Sequence, residues 1–223
     1  AGKNDTETGL TGSSRLALDE TLYQIRGAKQ VLPSYLSSTL SGANKIVLAA
    51  PGYNPSSSTF YLDGVTDYII IWHESGKLLQ TLVPGTGSVR PQRTKYVLAS
   101  NVKSCAFSYR VRDYFTSGSK NNATFVLNGY PSSASTPLLY VNGVLKDFSF
   151  SSSTRTATVS LSEKSNDLQF VYDIDPTNVT NAVVSMPVVG EVGVTLQMEA
   201  KDNRQVTRNM TLHGAARLRN LRK

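Results

Sequence analysis

The sequence has one cysteine, Cys105, two histidines, His73 and His213, and one tryptophan in 223 residues. A single cysteine excludes an intramolecular disulfide framework and any zinc site built on four cysteines or on paired cysteines and histidines. Two histidines cannot supply a His-rich metal centre. No run of 18 apolar residues occurs, and the longest strong one is Tyr68 to Trp72, so these residues contain no membrane-spanning helix. No secretory leader is read at the start: Ala1 to Gly12 is polar and rich in Gly and Thr, and residues 1–13 are expected to be a frayed terminus. Charged residues are scarce, at 17%.

Ser and Thr, by contrast, number 48, about one residue in five. With apolar strand-formers spread throughout, this composition fits an extracytoplasmic β-rich surface protein better than a cytoplasmic enzyme. It argues against coiled coil, collagen and global disorder. The net charge of +7 is concentrated at one end. Residues 201–223 carry seven basic side chains against the single acid Asp202, leaving a near-neutral body. A basic end attracts phosphate or anionic lipid, although a solvated strand and tail has the same composition.

One segment has a sustained helical period. Leu18, Leu22, Ile25, Leu32, Leu36 and Leu40 recur near every 3.6 residues, which predicts a helix from Arg15 to about Ala43 within a segment 14–44. Ser13 or Ser14 suits its cap, Pro33 should kink it and Gly42 should end it. From Lys45 the text becomes short strands between turn clusters. Asp67 to His73 and Lys77 to Val83 flank Glu74-Ser75-Gly76, the clearest hairpin. Cys105, Phe107, Tyr109 and Val111 share one strand face. Residues 113–187 differ in texture, being rich in Ser, Thr and Asn and punctuated by Pro and Asn-Gly, and read as a β-rich insertion or second sheet. The hairpin around Asn142-Gly143 belongs to it. The remainder divides into a β region at 45–112 and C-terminal strands with a basic tail at 188–223. The expected class is α+β, with one long N-terminal amphipathic helix packed on antiparallel sheet.

A search for catalytic machinery finds little. Nucleophile elbow, P-loop and dinucleotide loop are absent, and Gly85-Thr86-Gly87 reads as a turn. His73 and Glu74 are adjacent on a strand and point to opposite faces. Asp173, Asp175 and Asn178 offer oxygen ligands for calcium, but lack the Gly and distal Glu of an EF-hand loop and equally suit a turn. Cys105 reads as a core residue. Tyr109 to Phe115 interleaves aromatics and arginines, a pattern shared by single-strand nucleic-acid binders and by ordinary half-buried strands.

The order of blocks is more informative. A helix leads into Asp67–Gln80, containing Gly76-Lys77-Leu78; then come Leu98-Ala99 with Val102 and Phe107-Ser108-Tyr109; the chain closes with Val194–Ala200, a polar turn and Ala216–Asn220. This series resembles the type IV pilin-like family, in particular minor pilins of the W type and the J-type pseudopilin of type II secretion. The family's cleavage site and apolar membrane helix with an early Glu are not in these residues, so the resemblance implies a soluble portion of a longer chain. It implies a structural, non-enzymatic subunit without cofactor, assembling through its helix into a type IV pilus or pseudopilus, at or near the tip. Its partners would be other pilins and, through a helix absent from this sequence, the bacterial inner membrane, with the body periplasmic or on the cell surface. Arg217, Arg219 and Arg222 would then contact an acidic neighbour or DNA. The alternative is an extracellular β-sandwich binding module, an adhesin or carbohydrate-binding domain, resting on 113–187 and its aromatics Tyr130 and Tyr140.

Overall fold

A computed structural model describes residues 2–57, 60–117, 121–133, 135–162, 166–175, 187–201 and 205–218. The chain divides into two units, Ala1–Phe107 with Glu191–Lys223, and Ser108–Gly190.

The first unit opens with α1 (Gly2–Gly27), followed by β1 (Gln30–Leu32), the two-residue strands β2 (Ser34–Tyr35) and β3 (Thr39–Leu40), then β4 (Lys45–Tyr53), β5 (Tyr61–Glu74), β6 (Lys77–Val83), β7 (Arg93–Ser100) and the first residues of β8 (Val102–Ser117). The second unit holds the rest of β8, β9 (Asn121–Val126), β10 (Leu138–Val141), β11 (Val144–Lys146), β12 (Ser149–Ser151), β13 (Thr156–Leu161) and β14 (Asn166–Ile174). The chain then returns to the first unit along β15 (Val189–Lys201) and β16 (Thr207–Arg217).

Three expectations are corrected. The class is not α+β, because the described residues are mostly strand, with α1 as their one helix. The helix does not run from Arg15 to Ala43 but ends at Gly27, and residues 30–40 are short strands. Gly27 weakens the helix, β-branched Val31 favours a strand, and Pro33 disfavours helical geometry at Leu32. Lys29 then donates its amide to Ala49 O at 2.7 Å and draws β1 alongside β4. The Leu32, Leu36 and Leu40 continuation of the stripe therefore has no helix to lie on, and Leu36 and Leu40 are exposed. Finally, the helix starts ahead of Ser13 and Ser14. Both lie inside it and bond back to the preceding turn: Ser14 Oγ donates to Leu10 O at 2.6 Å and Ser13 Oγ to Gly9 O at 3.0 Å.

The buried stripe of α1 comprises Leu10, Ser14, Ala17, Leu18, Thr21, Leu22 and Ile25, at helical spacing. It packs on β16. The approach is close because of Gly214, where a Cβ would stand 2.7 Å from Leu22 Cδ1. β16 pairs antiparallel with β15, setting Met198 opposite Met210 and Leu196 opposite Leu212. The other sheet of this unit, in the order β1-β4-β5-β6-β7, is built on branched aliphatic residues, with Ile46, Leu48, Ile69, Ile71 and Leu78 fully buried. Such side chains suit a pleated surface covered on its face. Pro51 sits in β4 beyond the stretch that β1 covers, so its missing N–H leaves no ladder partner unsatisfied.

In the second unit the strands order as β11-β10-β14-β8, and a separate sheet as β12-β13-β9. Asn142-Gly143 turns β10 into β11, with both residues at positive φ as such a two-residue turn requires. Phe115, Phe125, Phe148 and Phe170 form a cluster with ring centroids 5.2–6.0 Å apart. The face read from Cys105 to Val111 is buried throughout and extends to Asp113.

Candidate functional site

Two aspartates that sequence reasoning passed over are buried. In the first unit Asp67 lies on β5 with no exposed surface. It accepts three hydrogen bonds from the loop joining β6 to β7: Gly85 N at 2.8 Å, Ser88 Oγ at 2.9 Å and Arg90 Nη1 at 2.9 Å. Arg90 also donates to Pro51 O at 2.9 Å. Gly85 must be glycine here, because a Cβ would stand 2.5 Å from Thr66 O. The Gly85-Thr86-Gly87 turn is thus a loop tied to a buried charge, not a phosphate cradle.

In the second unit Asp113 accepts from Tyr172 Oη at 2.7 Å, Asn128 N at 2.8 Å and Asn128 Nδ2 at 2.8 Å. Tyr172 Oη in turn accepts from Gly129 N at 2.9 Å. Burial, then the hydrogen bond and charge of Asp113, push the Tyr172 phenol well above its ordinary range. Both carboxylates are satisfied by donors and hold loops in place, and neither has a histidine among its hydrogen-bond partners.

The residues singled out from the sequence are placed as follows. Leu18, Leu22 and Ile25 are buried on α1. Asp173 accepts two hydrogen bonds from Arg110, Nε to Oδ1 at 3.0 Å and Nη2 to Oδ2 at 3.4 Å. Asp175 follows β14, and Asn178 lies outside the described residues. Among the described residues no group of three His, Cys, Asp or Glu side chains could hold a metal ion. Arg217 is exposed and its Nε stands 3.4 Å from Glu191 Oε2, while Arg219 and Arg222 lie outside the described residues. His73 Nε2 is 3.0 Å from Val102 O, an acceptor, so that nitrogen donates and the ring is a structural clasp. His213 Nδ1 lies 3.0 Å from Thr195 Oγ1, its cross-strand partner. Burial pushes the Cys105 thiol up to about 12, which makes it a poor nucleophile.

Two surface features among the described residues carry arginines. On the second unit Arg110, Arg112, Tyr140 and Gln169 line a cleft of about 290 Å³. On the first unit a groove of about 290 Å³ runs between the end of α1 and the five-stranded sheet. Arg26, Arg90 and Arg93 line it together with Tyr23 and Tyr61.

No family model matches the chain, and no curated protein does. By structure, it is similar to a type IV-like pilin from Thermus thermophilus, with 9% sequence identity and a TM-score of 0.45, over 95% of this chain and 98% of that one.

Proposed function

We propose that this chain is the body of a structural, non-enzymatic filament subunit of pilin type, more finely a minor pilin or pseudopilin at or near the tip. The observation that carries this reading is the two-sidedness of α1. One stripe is buried on β16, while Leu16 and Tyr23 on another face are 71% and 68% exposed. An exposed leucine on a helix already packed along one side suits helix–helix contact with neighbouring subunits. The block order described above adds to it. On this reading the native gene encodes, upstream of these residues, about 20 apolar residues after a short basic leader. The protein is then anchored in the bacterial inner membrane and carries its β body outward, against other pilins. Contact with DNA through Arg217, Arg219 and Arg222 would be a variant of this role.

The test expresses the full native gene and follows the protein in sheared filament fractions, with a Leu16→Glu variant beside it. The expected result is recovery with filaments for the native protein and loss for the variant, whose isolated body melts at the native temperature. Absence of the native protein from filaments overturns the reading, as does undiminished incorporation of the variant.

A binding module is the second reading, favoured by the second unit's cleft at Arg110, Arg112 and Tyr140. Reproducible glycan binding lost on Tyr140→Ala would support it.

A further inference from the structure

We propose that the groove at the end of α1 is a binding site for a small organic anion, a carboxylate or phosphate group carried on a sugar-sized body. The inference is independent of the filament reading. Three guanidinium groups from separate places in the chain line one groove: Arg26 from the last turn of α1, Arg90 from the β6–β7 loop and Arg93 from the start of β7. No Asp or Glu is among the residues lining it.

Two of the three arginines are positioned by other groups. Arg90 is held by Asp67 and Pro51 O, as described above. Arg93 Nη1 donates to Gln80 Oε1 at 3.0 Å, and its guanidinium carbon stands 4.7 Å from the centre of the Tyr96 ring. Ordering a guanidinium in advance removes part of the entropy cost of gripping a ligand. Gln80 has no exposed surface, yet its Nε2 has no hydrogen-bond partner. A buried donor left unpaired on the side chain that holds Arg93 is the kind of exception that functional sites tolerate.

Charge decides what the groove accepts. Asp67 neutralises one arginine, leaving a net charge of +2 from Arg26 and Arg93. The carboxyl end of α1 contributes the opposite sign, but only about −0.5 of an elementary charge. The balance stays positive and selects an anion. Guanidinium forks match the planar spacing of carboxylate and phosphate oxygens. Tyr23 and Tyr61 line the groove and are exposed, and Ile69 and Leu82 supply apolar contact. That combination fits a ring with polar edges, and the volume fits one such ring.

The test is a titration of the whole chain, followed by amide chemical shifts, with glucuronate, glucose 6-phosphate and neutral glucose at fixed ionic strength. The native protein should bind at least one charged probe with a Kd of about 1 mM or tighter, and glucose at least about tenfold more weakly. The charged probe that binds tells a carboxylate ligand from a phosphate one. Arg26→Gln combined with Arg93→Gln should weaken binding at least about tenfold. Tyr23→Ala, at an exposed position, should weaken it with no change in melting temperature. The proposal is overturned if neither charged probe binds at 10 mM, the upper limit of the titration, roughly ten times the expected Kd. Equal binding of glucose, or undiminished binding by the folded double arginine variant, overturns it as well. So does binding of a polyglutamate peptide alone, which would make the groove a contact for an acidic protein.

Discussion

The two units each bury an aspartate, and they satisfy it by different means. Asp67 in the first unit meets a cation, a hydroxyl and a backbone amide, all from one loop. Asp113 in the second meets only neutral donors, a phenol and both nitrogens of Asn128. The surroundings differ in the same way: branched aliphatic residues in the first unit, a phenylalanine cluster in the second. A buried carboxylate needs donors more than it needs an opposite charge, since either arrangement fills its lone pairs. What the charge adds is sensitivity. Removing Asp67 leaves a cation unpaired; removing Asp113 leaves only neutral groups.

The largest effect should follow from that contrast. Asp67→Ala removes the counter-charge of Arg90, which is only 23% exposed, and takes from the Gly85 amide its acceptor. A loss of about 3 kcal/mol is expected, against about 2 kcal/mol for Asp113→Ala, both read by urea denaturation. A reversed order would show that the cation adds nothing to the first unit's knot.

Next in size is Tyr172→Phe, expected to cost about 1–2 kcal/mol at neutral pH through the hydrogen bonds to Asp113 and Gly129. The same substitution should flatten the alkaline limb of stability. An unfolded tyrosine releases its proton near pH 10. The folded chain holds the Tyr172 proton to higher pH, so above pH 10 the native state binds more protons and stability falls as pH rises. If the variant loses stability above pH 10 as steeply as the native protein, the phenol is not the group responsible.

Cys105 is the first unit's counterpart. Its thiol titrates near 9 when unfolded and is pushed up to about 12 by burial, so its contribution is complete below pH 9 and is lost between pH 9 and 12. At pH 8 a thiol reagent should label the native chain far more slowly than the urea-unfolded chain. Equal rates would place Cys105 at the surface.

The smallest effects belong to the exposed pairs. Arg110→Ala on the second unit and Arg217→Ala on the first should each cost less than about 1 kcal/mol, and less still at high salt, since both guanidiniums face solvent. A larger loss at Arg110 would show that its two-pronged grip on Asp173 braces the cleft beside it.

Features written within a few neighbouring residues could be read without the structure. The turn at Ser75-Gly76 joins β5 to β6, and Asn142-Gly143 joins β10 to β11, because left-handed backbone at those positions selects for such residues. Alternation from Cys105 to Val111 marks a buried face because a strand repeats every two residues. The end of α1 was not legible. Leu32, Leu36 and Leu40 keep helical spacing, but Gly27, Val31 and Pro33 interrupt it and β4 offers Lys29 and β1 a ladder. Tertiary pairing outweighs a local period of that strength. The early turns of α1 were missed because Gly and Thr there carry poor helix propensity, and the buried stripe from Leu10 onward compensates for it.

The candidate sites were less legible still. Asp113 continues the alternating face of Cys105 to Val111 and Asp67 sits within an apolar strand, but nothing local names the donors that let either be buried. Their partners lie far along the chain: Arg90 is 23 residues from Asp67, and Tyr172 is 59 from Asp113. The Arg26, Arg90 and Arg93 groove joins a helix end to a loop that the sequence shows only as the Gly85-Thr86-Gly87 turn. By itself, then, the sequence determined the strands that follow Lys45, their tight turns and the scarcity of cysteine and histidine, because these follow from backbone preference and composition. Only the tertiary structure decided where the helix stops, which charges are buried and which arginines converge. Those outcomes depend on hydrogen-bond donors and apolar surfaces brought together from distant segments, and burial, not residue type, sets the energy of a charge.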